Sequence, residues 1–236
     1  DKIEIKYLNE NKKLNNLNVF KKNNNVELSS KNFDGKSFIS NLLMAGSNNA
    51  LLNRFVNFNS QIYLNFDQFL IDDKNYLQNV NGNLYIEKNK IRSGKIAAKL
   101  NNLSQINLDI ETNSKREKIT NLLIENPAPF IKNYKFIKGF NEGKLLYKSI
   151  EKNEKTLSNL TIFNFKIREV PVLAKILTLA SLQGVADLLT GEGIRFNDFE
   201  MNYESTKNNT KINEIYAIGP AISILMEGYI VKDKLI

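Results

Sequence analysis

The chain has 236 residues, with 33 Lys and Arg against 25 Asp and Glu, and contains neither Cys nor His. Its length suffices for one large or two small domains with a sizeable core. Without Cys there are no disulfides, thiolate metal sites or thiol nucleophiles; without His there are no Ser-His-Asp triads, imidazole-bound metals or usual general base near neutral pH.

Asn occurs 37 times, Lys 28 times and Arg 5 times. This bias has the look of an AT-rich genome. The net charge of +8 reads first as a Lys-coated surface. The other reading is attraction to phosphate, on nucleic acid or on an anionic membrane. Nucleic-acid binders concentrate Arg and aromatics in a stripe, whereas here Lys is scattered. The longest apolar stretch, 170–180, contains Pro171 and Lys175 and falls short of the roughly 20 residues that span a bilayer. The chain starts without an initiator Met or a signal peptide, so it reads as a fragment; if the parent protein is anchored or exported, the signal for that is expected outside these residues.

Most of the chain reads as β. Residues 2–8, 18–21, 25–29 and 36–43 alternate weakly as short strands joined by Asn/Lys turns. In 61–66, Ile62, Leu64 and Phe66 share one face. Residues 84–87 and 91–100 flank the turn-prone Lys88, Asn89 and Lys90 as a hairpin. The clearest strand is 104–112, where Ile106, Leu108 and Ile110 alternate with Asn107, Asp109 and Glu111. A short helix is expected near 127–134, with Asn126 as its cap and Pro127 in its first turn. Residues 145–150 and 160–167 form the next pair, around a polar connection at 151–155. One apolar helix is expected near 171–190, where Leu173, Ile176, Leu177, Ala180, Gly184 and Leu188 follow helical spacing between Pro171 and Gly191. Strands 195–204 and 211–218 then flank a turn at 207–209, and 222–231 is the last strand. No domain boundary or fixed repeat stands out.

No catalytic constellation emerges. The carboxylate pairs Asp72-Asp73 and Glu200-Glu204 fall in a polar turn and on one wet strand face. Paired-carboxylate catalysis needs a pocket with one raised pKa. Gly191-Glu192-Gly193 lacks the Gly-Lys-Ser/Thr of a phosphate loop and stands in helix-then-strand order. No Asp-x-Asp-x-Asp run suggests an oxygen-ligated metal. The chain is expected not to be an enzyme and to carry no cofactor and no metal.

A family resemblance covers about residues 126–230. The segment LSNLTIFNFKIREVPVLAKILTLASLQGVADLLTGEGIRFNDFEMNYES, followed by KINEIYAIGPAISILMEGYI, resembles the AsmA-like C-terminal region of YhdP-type proteins of Gram-negative envelopes. The matching parts run in order. A strand enters Val170-Pro171, and the helix carries Leu173, Leu177, Ser181, Leu182 and Gly184. Leu188-Leu189, Gly191 and the GIRF run from Gly193 come next, then Ala217, Gly219-Pro220 and Gly228. A weaker likeness reaches back through NPAPFIKNYKFIKGFNEGKLLY. Family members carry further strands and an N-terminal anchor, which the resemblance places outside residues 1–236.

The resemblance implies a long curved antiparallel sheet with an apolar concave face, a taco-like groove, that moves phospholipid between inner and outer membranes. A diacyl lipid has about 30 methylenes at roughly 0.8 kcal/mol each, so passage through water costs on the order of 20 kcal/mol or more. An apolar trough removes most of that barrier while the headgroup stays wet, and antiparallel sheets can keep one face wet. The expected location is the periplasm, with the inner membrane held through a segment outside this chain. The expected partner is phospholipid, with acyl chains in the groove, and no nucleic acid is expected. Groove-facing candidates are Ile106, Leu108, Ile110, Phe163, Phe165, Ile167, Ile194 and Phe196. Two alternatives stay open: an assembly module for outer-membrane biogenesis that carries no lipid, and a polyanion-binding β module.

Overall fold

A computed structural model of the chain describes residues 1–8, 14–36, 59–131, 138–169, 193–207, 209–231 and 234–235. Among the described residues the chain is mainly β, with almost no helix. It divides into two compact units, Asp1–Asn113 and Ser114–Ile236.

In the first unit, β1 (Lys2–Leu8), β2 (Leu14–Lys22), β3 (Asn25–Ser30), β5 (Ser60–Leu70), β6 (Tyr76–Glu87), β7 (Lys90–Leu100) and β8 (Ser104–Thr112) lie side by side in that order. The two-residue β4 (Phe33–Asp34) also pairs with β5. All pairings are antiparallel except those of β3 and β4 with β5. In the second unit, β9 (Lys118–Ile124), β10 (Lys138–Lys152), β11 (Lys155–Glu169), β12 (Ile194–Ser205), β13 (Asn209–Ile218), β14 (Ser223–Val231) and β15 (Lys234–Leu235) are consecutive antiparallel neighbours. Within each unit, among the described residues, each strand packs against its hydrogen-bonded neighbours. The further packings are β4 against β2 and a short helix α1 (Ala128–Ile131) against β10. Among the described residues, each sheet is therefore a single layer.

The turns explain the Asn content. Asn tolerates the left-handed region better than other residues with a Cβ, and tight hairpins with two left-handed residues match the twist of their strands. Lys88 and Asn89 (φ 49° and 61°) turn β6 into β7, and Asn153 and Glu154 (φ 49° and 64°) turn β10 into β11. Asn101 and Asn102 (φ 49° and 64°) do the same before β8.

Left-handed residues also occur inside strands. Asn79 (φ 50°) in β6 stands opposite Asp67, between the pairs Phe66–Val80 and Gln68–Gln78. Asn164 (φ 51°) in β11 stands opposite Gly143 (φ 91°) in β10 and opposite Asn197 in β12. A left-handed residue inserted in a strand shifts the two-residue alternation by one, as a bulge does. Ile162 and Phe165, on either side of Asn164, are therefore both buried three residues apart; Phe66 and Phe69 in β5, which flank the position opposite Asn79, are both buried as well.

The helix starts one residue later than expected. Phe130 N and Ile131 N both donate to Pro127 O at 3.0 Å. Asn126 does not cap it; its Oδ1 is buried without a hydrogen-bond partner among the described residues. The expected helix near 171–190 and most of the expected strand 36–43 lie outside the described residues.

Asn164 gives a direct test. A β-branched residue is poorly suited to its backbone conformation and Gly is well suited. Asn164→Val is expected to lower stability by about 1–2 kcal/mol, while Asn164→Gly stays within about 0.5 kcal/mol of the parent. Urea denaturation of both variants reads the difference, and equal midpoints would remove the left-handed assignment.

Candidate functional site

Cross-strand register sorts the side chains of each sheet into two faces. In the first unit one apolar row runs Leu28, Leu64, Gly82, Ile96, Leu108 across β3, β5, β6, β7 and β8. The next runs Val26, Ile62, Leu84, Gly94, Ile110. The opposite face carries Gln61, Asn65, Asn83, Lys95, Asn107 and Asp109, with Lys95 Nζ 3.1 Å from Asp109 Oδ2. Glu4 also lies on this wet face, where its hydrogen bond with Lys6 holds its carboxyl below the ordinary value.

The apolar face is unevenly covered. Phe33, Phe66 and Phe69 close one end, with ring centroids 5.3–5.6 Å apart. Ile86, Ala98, Leu100, Ile106 and Ile110 are buried. Leu28, Ile62, Leu64, Leu84, Ile96 and Leu108 remain only half-buried, although they sit mid-sheet. An ordinary core leaves central side chains fully enclosed. Gly82 and Gly94 keep these rows low. A Cβ on Gly82 would lie 2.3 Å from Lys95 O, and one on Gly94 2.4 Å from Asn83 O.

In the second unit Phe165 stacks between Phe140 and Phe196, with centroids 5.2 and 5.3 Å away and the planes within 16° of parallel. Phe199 meets Phe165 edge-on at 6.4 Å. Ile131, Ile162, Ile194 and Ala217 complete this buried cluster, and Ala128, Leu145, Ile167, Ile222 and Ile224 pack against it. The same face then becomes polar towards its other end. Ser149 pairs with Ser158 and is buried with it, and Tyr147 Oη lies 3.2 Å from Ser158 Oγ.

The far face of this sheet is mixed: a polar network sits among exposed apolar side chains that include Leu146, Ile150, Leu157 and Leu225. Asn159 Nδ2 donates to Glu200 Oε1 and to Asn202 Oδ1, both at 2.8 Å. Thr161 Oγ1 donates to Asn159 Oδ1 at 3.1 Å. A shallow depression here is lined by Lys148, Ile150, Leu157, Asn159, Asn202 and Asn213, among others. Lys166 and Arg195 stand directly opposite one another, a repulsive pairing that Glu142 offsets at 3.5 and 3.4 Å.

The sequence candidates divide accordingly. Ile106, Leu108 and Ile110 share the apolar face of the first unit. Phe165, Ile167, Ile194 and Phe196 come together in the second. Phe163 does not join them. It pairs with Lys144 and Asp198 on the polar face, because the left-handed Asn164 breaks the alternation that would have aligned it with Phe165. Gly193 (φ 87°) opens β12, where a Cβ would lie 2.8 Å from Ile167 O. Gly219 and Pro220 form the turn into β14, closed by Gly219 N donating to Ile222 O at 2.8 Å. Gly228 pairs with Ile212. Pro171, Leu173, Ile176, Leu177, Gly184, Leu188 and Gly191 lie outside the described residues.

The carboxylate pairs serve structure. Asp72 Oδ1 accepts from Lys74 N at 2.7 Å and from Asn75 N at 2.9 Å, closing a turn. Asp73 pairs with Lys36 at 2.8 Å, and Glu204 with Lys155 at 2.8 Å. Phe140, Ile162 and Phe199 were not among the sequence candidates. The signal for Ile162 and Phe199 was present as apolar residues three apart around an Asn, in Ile162-Phe163-Asn164-Phe165 and Phe196-Asn197-Asp198-Phe199, whereas Phe140 carried no such signal.

Compared with known proteins, the chain matches no family model, no curated sequence and no solved structure.

The face assignment predicts unequal costs for two neighbouring aromatics. Phe165→Ala is expected to lower stability by about 3–5 kcal/mol. Phe163→Ala, on the wet side, is expected to cost about 1 kcal/mol or less. Chemical denaturation measures both, and a reversed order would return Phe163 to the apolar face.

Proposed function

We propose that this chain is the periplasmic part of an inner-membrane-anchored AsmA-like protein, whose apolar sheet face shields phospholipid acyl chains in transit between the inner and outer membranes. The observation that carries this reading is the row Leu28, Leu64, Ile96 and Leu108. These side chains are central and apolar, yet half-buried in a single-layer sheet. Exposed apolar surface is costly at about 25 cal/mol per Å², and contiguous patches of it mark ligand or partner sites. Acyl chains laid across the strands would cover these rows and replace water with methylene contacts.

The polar opposite face supports the same reading. A sheet that carries lipid needs one surface for the hydrocarbon and one for water, and antiparallel strands supply both. Asn, Lys and Glu ladders give this sheet a wet surface. The role asks for no nucleophile, base or metal.

Lipid extraction from the natively purified protein, followed by mass spectrometry, tests the proposal. Diacyl phospholipid is expected in the extract. The pair Leu64→Asn and Ile96→Asn is expected to reduce retained lipid at least about tenfold, as the loss of 1.4 kcal/mol or more of apolar contact requires. Circular dichroism should show the fold intact. Lipid-free extracts from the parent protein would defeat the conduit reading and favour the assembly module.

A further inference from the structure

One end of the first sheet is built as a basic rim. The turn 23–24 between β2 and β3, the start of β5 and the turn Lys88–Asn89 all meet there. Hydrogen bonds lace them together. Ser60 Oγ donates to Asn24 O at 2.7 Å, Gln61 N donates to Asn24 O at 2.9 Å, and Lys88 N donates to Asn59 Oδ1 at 2.7 Å. Lys21 N donates to Asp1 O at 2.8 Å and ties in the start of β1. The backbone of the rim is therefore cross-braced.

Its cations are Lys2, Lys21, Lys22, Lys88, Lys90 and Arg92, against Asp1, Glu27, Glu87 and Glu111. Arg92 Nε and Glu87 Oε2 neutralise each other at 3.1 Å. Lys21, Lys22, Lys88 and Lys90 are exposed and have no ion-pair partner among the described residues. The opposite end of the same sheet differs. There Lys31, Lys36, Lys74 and Lys99 stand with Asp34, Asp72 and Asp73, and Lys36 sits 2.8 Å from Asp73 and 3.7 Å from Asp34. That end is also closed by Phe33, Phe66 and Phe69. Positive charge is thus more concentrated at one end than at the other.

Apolar side chains stand between the rim lysines. Ile3 is 57% exposed, Phe20 45% and Tyr85 41%. Phe20 pairs with Lys2 across the strands, and Tyr85 lies three residues before Lys88. Lysines attract anionic headgroups, while aromatic rings settle at the boundary between headgroups and hydrocarbon. A duplex nucleic acid would use the charge but leave Ile3 and Phe20 wet.

We propose that this rim docks the first unit onto an anionic lipid bilayer, with lysine ammonium groups on lipid phosphates and with Ile3, Phe20 and Tyr85 at the interface. The choice of a lipid partner rests on the acyl-carrying role proposed above. The apolar rows begin at this rim, with Val26 and Ile62 directly behind it, so docking would bring hydrocarbon close to these rows.

Vesicle co-sedimentation of the full chain tests this. The probes are vesicles of phosphatidylcholine alone and of phosphatidylcholine with phosphatidylglycerol, with a DNA duplex as competitor. The parent protein is expected on the anionic vesicles only. Lys22→Gln, Lys88→Gln and Lys90→Gln together are expected to weaken that binding about 100-fold. Lys31→Gln, Lys74→Gln and Lys99→Gln remove the same charge from the other end and are expected to leave it within about threefold. Equal loss in the two triple variants, or a DNA duplex that displaces the protein from vesicles, would overturn the proposal. Lost docking with retained acyl lipid would remove the rim alone, and retained docking with lipid-free extracts would remove the conduit alone.

Discussion

The separation of apolar and polar side chains onto opposite faces of a single-layer sheet is the constraint on which the structure depends. A strand offers the two faces in strict alternation, so any shift of one residue would place a whole apolar set in water. The described strands keep the separation across lengths of 11 to 15 residues in β5, β6, β7, β10, β11 and β12. They do so by breaking the alternation at chosen points. Asn79 and Asn164 take left-handed conformations, and the apolar series resumes one step out of phase on the same face.

Those breaks also bring rings together. Phe66 and Phe69 could not touch edge to face at 5.5 Å on a regular strand, where they would point to opposite sides. The stack Phe140–Phe165–Phe196 forms beside the line of Gly143, Asn164 and Asn197. In the second unit the most enclosed part of the apolar face lies next to such a break. Elsewhere, as at Leu64, Ile96 and Leu108, the face stays half-open. The first sheet therefore combines a firm anchor with half-buried hydrocarbon surface, and the proposed lipid contact belongs to the second part.

The mainly β architecture was legible because its alternation is long and its turns carry Asn and Lys at the positions where left-handed geometry is needed. Ile106, Leu108 and Ile110 were placed correctly on one face because β8 has no left-handed residue. Phe163 was misplaced because nothing in an Ile-Phe-Asn-Phe string states that the Asn turns left-handed inside a strand. Burial of Phe165 against Phe140 depends on pairing across β10 and β11, which local pattern does not carry. The parallel pairing of β3 with β5 was equally invisible, since it joins segments separated by more than 30 residues.

Within each unit the hairpin connections have a consequence for assembly. Except where β3 and β4 meet β5, every strand is satisfied by the segment just before or after it, through turns such as Lys88–Asn89 and Asn153–Glu154. Such a chain resembles a linear array, in which order can spread from any nucleated ribbon to the adjoining one. The second unit can grow by accretion, each new ribbon templated on the last, so a polypeptide emerging gradually into its compartment need not wait for its distant end before it begins to hold shape.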